Sequence, residues 1–150
     1  MTETAQPVFN MDKIYVKDLS LEIPNAPQIF LEREAPQIEV QLHTAASAID
    51  EGVYEVTVTS TVTAKIGEKV MFLIEVKQAG IFTVRNVPEA EKTPVLAVVC
   101  PNILFPYLRE VVSDVSVRAG FVPVLLSPIN FDALYQQQQA QSQAAGATIQ

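Results

Sequence analysis

The fold is decided by residues 53–81, VYEVTVTSTVTAKIGEKVMFLIEVKQAGI, which predict two long β-strands joined by a tight turn at residues 66–68. In the first strand apolar side chains alternate with Thr and Glu, a period of two that is typical of a sheet with one buried face. The second strand carries Met71 and Leu73 on the same side as Glu75, so its second face is mixed. The surplus apolar surface must pack against a helix, another subunit or a bound protein.

The chain before this hairpin predicts two more strands and a long crossover. Residues 9–21 form a β-prone run whose alternation changes phase between Val16 and Leu19, which indicates a bend or bulge. Prolines within residues 22–36 disfavour both helix and central strand, so we expect an ordered crossover there. Residues 37–44 alternate cleanly and predict a half-buried strand. Its inward-facing side chains are expected to be Ile38, Val40 and Leu42.

After the hairpin the apolar period changes to that of a helix. The periodic residues are Leu104, Leu108, Val111 and Val115. Gly120 is placed to end the helix, whereas Pro106 either ends a short entry turn or kinks it, and both remain open. Further apolar side chains, Ile103 and Tyr107 among them, widen the apolar arc. The helix therefore needs cover on two sides, one from the sheet and one from a second copy of the chain.

An apolar, proline-bearing connection over residues 120–131 leads to a last helix that Asn130 can cap. Residues 136–150 are uncharged and rich in Gln and Ala, which predicts a flexible tail. Residues 1–8 are expected to form a disordered arm. This leaves residues 9–135 as a single folded domain.

Composition argues against several classes of partner. The formal net charge is −7 and the ten Lys and Arg are scattered singly, so the sequence predicts no basic patch that would bind the phosphate backbone of a nucleic acid. The N-terminus lacks a basic region followed by an apolar run, and no uninterrupted apolar stretch approaches the roughly 18 residues that span a bilayer. We therefore expect a cytoplasmic protein without direct membrane insertion. The single cysteine, Cys100, fits a reducing compartment and is expected to be buried.

Residues that would do the chemistry of an enzyme are sparse. The sequence has no P-loop, dinucleotide glycine fingerprint, HExxH motif, nucleophile elbow or usable zinc-ligand spacing, so no catalytic residue, metal or cofactor is predicted. The only histidine, His43, falls on the polar side of a strand with no recognisable nucleophile near it. An enzyme on a similar α+β frame, such as a hot-dog thioesterase, stays open as an alternative. Its candidate carboxylates within the helix would be Glu110 and Asp114.

Short motifs follow one another along residues 9–135. They are Ile14-Tyr15, Lys17-Asp18, PNAP at 24–27, VYEV at 53–56, GIF at 80–82, CPNILFPY at 100–107 and NFDAL at 130–134. Taken together in this order they resemble SecB, the bacterial protein-export chaperone family, although each one alone would be weak evidence. The resemblance implies an α+β fold with a four-stranded antiparallel sheet, Greek-key-like with a long crossover after the first strand. Two helices, one of them long, would pack on this sheet.

The resemblance also implies a function and partners. SecB proteins hold unfolded precursor proteins without ATP and hand them to SecA, the motor ATPase of the Sec translocase, as a homotetramer that is a dimer of dimers. Apolar contact suits this task because hydrophobic burial is indifferent to the sequence of the client. A SecB-like chaperone dedicated to a toxin–antitoxin pair remains an alternative.

Three sets of site residues follow. The docking patch for SecA, carried over from the family, comprises Asp18, Glu22, Leu73 and Glu75. The client groove is predicted on the crossover and the last helix, at Leu21, Ile23, Ile29, Phe30, Phe131, Leu134 and Tyr135. The oligomer interface is predicted at Ile74, Val76 and Gln78, which resemble family residues needed for tetramer assembly, and at Ile103 and Tyr107 on the long helix. Plain core packing stays open for the groove residues and for Ile74 and Val76.

Overall fold

A computed structural model describes residues 5–148, with side chains described for residues 5–142. The elements are β1 (Val8–Glu22), a 3-10 turn (Gln28–Leu31), β2 (Gln37–Asp50), β3 (Val53–Ile66), β4 (Lys69–Arg85), α1 (Glu89–Arg118) and α2 (Phe131–Thr148). The four strands form one antiparallel sheet in the order β1-β4-β3-β2. The crossover therefore runs from one edge strand to the other, and the predicted fold class is confirmed.

The β3–β4 hairpin forms the centre of the sheet, and the long helix packs on these two strands. Val62 pairs with Ile74 in this ladder, and both are fully buried. The second strand continues beyond the predicted end, to Arg85. Gly67 takes a φ of 63° in the connecting turn, a conformation that costs glycine little.

Strand β1 contains two bulges. Its pairing with β4 shifts between Val16 and Asp18, which confirms the predicted change of phase. A second shift, between Met11 and Lys13, was not predicted. A one-residue shift exchanges the two faces of a strand. The bulge between Val16 and Asp18 therefore brings Asp18 onto the same side of the sheet as Tyr15.

Helix α1 lies across β3 and β4 and supplies the second layer of the core. Its fully buried residues are Cys100, Leu104, Leu108, Val112 and Ser116. Val111, which the periodicity placed in this stripe, is only half-buried. A π-helical turn precedes Pro101, with the Cys100 N–H bonded to the Val95 carbonyl. The helix continues through Pro106, so this proline does not end a short entry turn.

By length and composition, α1 is apolar enough to cross a membrane, with a mean hydropathy of 1.6 over an 18-residue window. Arg109 and Glu110 interrupt the apolar run of this helix, which is why no membrane span is predicted from uninterrupted apolar length. In the structure one stripe of α1 packs on the sheet, and 33% of that window is buried.

Helix α2 begins as the sequence predicts and ends later. The Asn130 side-chain carbonyl accepts a hydrogen bond from the Ala133 N–H at 3.0 Å, the geometry of an N-cap. Residues 136–148, predicted from composition as a flexible tail, are helical, as the high helix propensity of Gln and Ala allows. At the other terminus β1 already begins at Val8. Residues 1–4 of the predicted arm and residues 149–150 of the predicted tail lie outside the described part.

Candidate functional site

An apolar groove of about 430 Å³ opens between strand β2, helix α1 and the connection from α1 to α2. Its lining residues are Ile38, Val40, Leu42, Phe105, Pro123, Val124, Leu125, Leu126, Ser127 and Ile129. All of them except Ser127 have apolar side chains. The groove can therefore bury apolar groups but offers few directional polar contacts.

Strand β2 forms one wall of the groove because α1 covers mainly β3 and β4. Ile38 pairs with Ala64, and Val40 pairs with the buried Val62, so both lie on the helix side of the sheet. This agrees with the predicted inward direction. Their burial does not agree, because Ile38 is 48% exposed and Val40 is 44% exposed. Contiguous apolar surface left in water at a concave site marks a contact surface.

The structure separates the predicted groove residues by burial. Ile29 and Phe131 are 2% and 1% exposed, so they belong to the core, which corrects their assignment to a contact surface. Leu21 and Phe30 are exposed. The half-buried members are Ile23, Leu134 and Tyr135.

Aromatic contacts join the crossover to the start of the connection from α1 to α2. The Phe30 ring stacks on Phe121 with their centroids 5.1 Å apart, and Phe121 lies 4.9 Å from the ring of Phe72. At the other end of the connection, Phe131 makes an edge contact at 5.9 Å with Phe105 in the groove. These contacts fix both ends of the connection against the sheet and α1.

The opposite face of the sheet carries the predicted docking residues. In the β1–β4 ladder Glu22 pairs with Leu73 and Asp18 pairs with Lys77, while Glu75 lies between these partners on β4. Alternate residues of a strand share a face, so the structure brings all four predicted residues into one patch. Their three carboxylates are exposed, and Leu73 is half-buried.

The same outer face holds a polar cluster that the sequence does not reveal. The Tyr15 hydroxyl donates a hydrogen bond to Glu55, and Lys17 Nζ lies 2.7 Å from Glu55 Oε1. The hydrogen bonds from Lys17 and Tyr15 lower the pKa of Glu55. The pKa of Tyr15 is raised to about 12, mainly by burial and to a smaller extent by the hydrogen bond to Glu55. Tyr15 and Glu55 lie 40 residues apart, so no local motif connects them.

The predicted interface residues on β4 face α1 within the protomer. Ile74 and Val76 are fully buried and Gln78 is 2% exposed, which corrects their assignment to direct subunit contacts. The Gln78 side-chain amide donates to a backbone carbonyl of β1 at 3.2 Å and so supports the bulged strand. On α1, Tyr107 is 47% exposed and Ile103 is half-buried. These two remain accessible to a second copy.

Neither Cys100 nor His43 belongs to a reactive cluster. Burial raises the pKa of the Cys100 thiol to about 12, so the nucleophilic thiolate is suppressed. His43 is exposed on β2, opposite Thr59. In the described part of the chain, no three His, Cys, Asp or Glu side chains are grouped closely enough to hold a metal ion.

Comparison with known proteins identifies the family. The family model described as preprotein translocase subunit SecB matches residues 2–142. The chain belongs to the SecB family. The protein-export protein SecB of Azoarcus sp. is 61% identical to it over 151 aligned positions, covering 100% of both chains. The protein-export protein SecB of Nitrosospira multiformis is 59% identical and covers 97% of this chain and 91% of its own.

A solved structure resembles this SecB-family chain at much lower identity. It is the SecB-like chaperone of Mycobacterium tuberculosis in complex with a ChAD peptide from the HigA1 antitoxin. The TM-score is 0.67 at 17% identity, covering 81% of this chain and 90% of that chain. This likeness shows the fold alone.

Membership in the SecB family places the protein among protein-export chaperones rather than enzymes. Such a chaperone binds unfolded preproteins. The apolar groove and the patch formed by Asp18, Glu22, Leu73 and Glu75, here called the acidic patch, lie on opposite faces of one sheet.

Proposed function

We propose that this SecB-family protein holds unfolded precursor proteins in the apolar groove without ATP and delivers them to the SecA motor. The observation that carries the proposal is the exposed apolar wall formed by β2 and the connection. Burying apolar side chains of a client there contributes roughly 25 cal/mol per Å². In addition, β2 is an edge strand, and an edge strand can pair with an extended segment.

Placing a charge in the groove tests client holding. With no nucleotide added, the wild-type protein should suppress aggregation of an unfolded, reduced client at a stoichiometric ratio. Val40→Asp should weaken holding at least tenfold, because a carboxylate must be desolvated when the client binds. Gln41→Asp is the matched control, since it adds the same charge on the opposite face of β2. Equal loss in both variants, or a requirement for ATP, would contradict the proposal.

We propose further that the patch of Asp18, Glu22, Leu73 and Glu75 docks SecA through the zinc-bearing C-terminal tail that the resemblance to SecB implies for the motor. The three exposed carboxylates beside an apolar leucine support this, because they offer charge complementarity around a small apolar anchor. The zinc would belong to the partner.

Charge reversal separates local docking from the general charge of the protein. Asp18→Lys, Glu22→Lys and Glu75→Lys together should weaken binding of SecA while client holding is retained. The control reverses three exposed carboxylates elsewhere, Glu34, Glu68 and Glu91, and changes the net charge equally. Similar loss with both triple variants would show that only long-range attraction acts. Loss of client holding together with docking would mean that the patch is structural.

We propose a homotetramer built as a dimer of dimers. Two features support self-association. On the helix face that carries them, Tyr107 and Val99 are 47% and 42% exposed. Strand β1 is an edge strand, and in the described part of the chain no further strand pairs with its outer side. Light scattering should give the mass of four chains. Tyr107→Asp should lower this mass without unfolding the protomer, and an unchanged tetramer would exclude this helix face from the interface.

The export role is favoured over the two alternatives. Relatives at about 60% identity are protein-export proteins, whereas the antitoxin-bound chaperone shares only 17% identity. A thioesterase lacks support, because Asp114 is exposed and paired with Arg118 at 2.9 Å. We place the protein in the cytoplasm, where precursors await translocation.

A further inference from the structure

The C-terminal end of α1 sets the start of the connection that walls the groove. Gly120 has a φ of 93°, and its N–H bonds to the Val117 carbonyl at 2.9 Å. The Phe121 N–H bonds to the Ser116 carbonyl at 3.1 Å. These two bonds form a Schellman motif, which ends the helix and directs the chain away from its axis. The backbone of Ser116 therefore anchors the first residue of the connection.

The side chain of Ser116 anchors the same connection further along. Ser116 is fully buried, and its hydroxyl donates to the Ser113 carbonyl at 2.8 Å. The same oxygen accepts a hydrogen bond from the Val124 N–H at 2.9 Å. Within the described part of the chain, this is the hydrogen bond that ties residues 122–129 to the rest of the fold.

The hydrogen bond between the Val124 N–H and the Ser116 hydroxyl fixes which side chains of the connection are buried and which are exposed at the groove. Val124 and Leu126 are 8% and 4% exposed and point into the core, whereas Leu125 between them is 66% exposed. All three line the groove. If the connection shifted by one residue, the buried and presented side chains would exchange places.

We infer that Ser116 is a positioning residue for client binding, because its hydroxyl holds the groove wall in place before an extended apolar segment arrives. The inference rests on the proposed role of the groove. A preformed wall spares the client the cost of ordering it. One neutral hydrogen bond corresponds to roughly a two- to tenfold change in an equilibrium constant.

Ser116→Ala removes the side-chain acceptor and leaves the Schellman bonds intact. The amide of Val124 should exchange with deuterium roughly two- to tenfold faster, while the amides of α1 and β3 keep their protection. Dissociation of a bound unfolded client should be two- to tenfold faster, and docking at the acidic patch should not change. Ser113→Ala is the control, since the hydroxyl of Ser113 is not part of the anchor, and it should match the wild type.

Pro123→Gly provides a second test that leaves the buried hydroxyl untouched. Pro123 is exposed. Glycine at this position can adopt many more backbone conformations than proline, so the connection should become more flexible. It should accelerate both exchange and client release. Faster exchange with unchanged client release in either variant would overturn the inference, as would slow exchange in Ser116→Ala. A wild-type protein that binds no client would instead overturn the proposed function, so the two failures are distinguishable.

Discussion

Replacing Gly80 with alanine should destabilise the protein, although alanine normally suits a strand better than glycine. Gly80 faces α1, and a Cβ atom there would lie 2.8 Å from Phe82 Cε2 and 2.9 Å from Leu104 Cδ2. Both neighbours are fully buried, so neither can move without disturbing the core. Overpacking costs about 1–3 kcal/mol, and removing glycine from a strand returns roughly 0.5–1 kcal/mol. We expect a net loss of about 1 kcal/mol.

A double-mutant cycle tests whether the contact with Leu104 is responsible. Leu104→Ala alone should cost about 2–5 kcal/mol because it leaves a cavity. In that background Gly80→Ala should cost less than in the wild type, since the clash with Leu104 is removed while the contact with Phe82 remains. Leu108→Ala is the control background, in which Gly80→Ala should keep its full cost.

The assay is urea unfolding followed by circular dichroism, at one protomer concentration because assembly contributes to apparent stability. If the effects of Gly80→Ala and Leu104→Ala add within about 0.5 kcal/mol, the two sites are not coupled and the reasoning fails.

Three other predictions concern single groups. Lys17→Met should raise the pKa of Glu55 towards its ordinary 4.5. The pKa of Glu55 is lower in the folded than in the unfolded protein, so the ion pair stabilises the fold above pH 4.5 and its contribution is lost as the pH falls through the folded pKa. The variant should therefore lose less stability than the wild type on acidification. An unchanged NMR titration of Glu55 would refute this. Cys100 should react with a thiol reagent at pH 8 at least roughly 100-fold more slowly in the native protein than in denaturant, and equal rates would show that it is accessible. Asn130→Ala should cost about 1 kcal/mol in urea unfolding, whereas Asn130→Asp keeps the capping oxygen; equal losses would mean that the cap at the Ala133 N–H is not responsible.

The elements of the fold could be predicted because their causes are local. The alternation around Val62 and Ile74 specifies the hairpin, and the phase change after Val16 specifies a bulge, since both depend on neighbours along one strand. The N-cap at Asn130 is equally local. The length of α2 was mispredicted because its uncharged Gln and Ala residues are compatible with both a solvated tail and a helix.

The sites were harder to predict because they depend on which strands of the sheet the long helix covers. The apolar direction of Ile38 and Val40 is visible in the sequence, but their exposure arises because α1 reaches β3 and β4 and leaves part of β2 uncovered. The apolar connection was a signal of the groove, since a solvated loop would be polar. Ile29 and Phe131 carry the same apolar signal, and the structure buries them in the core.

The amino-acid sequence by itself determined the strands, the long helix and the order in which they occur, because periodicity and capping act over a few residues. Only the tertiary structure decided that Glu22 meets Leu73, that Tyr15 meets Glu55 and that Ser116 holds Val124. These contacts join distant parts of the chain. Their free energy depends on the register of the strands and the packing of the helix, which no short stretch of sequence specifies.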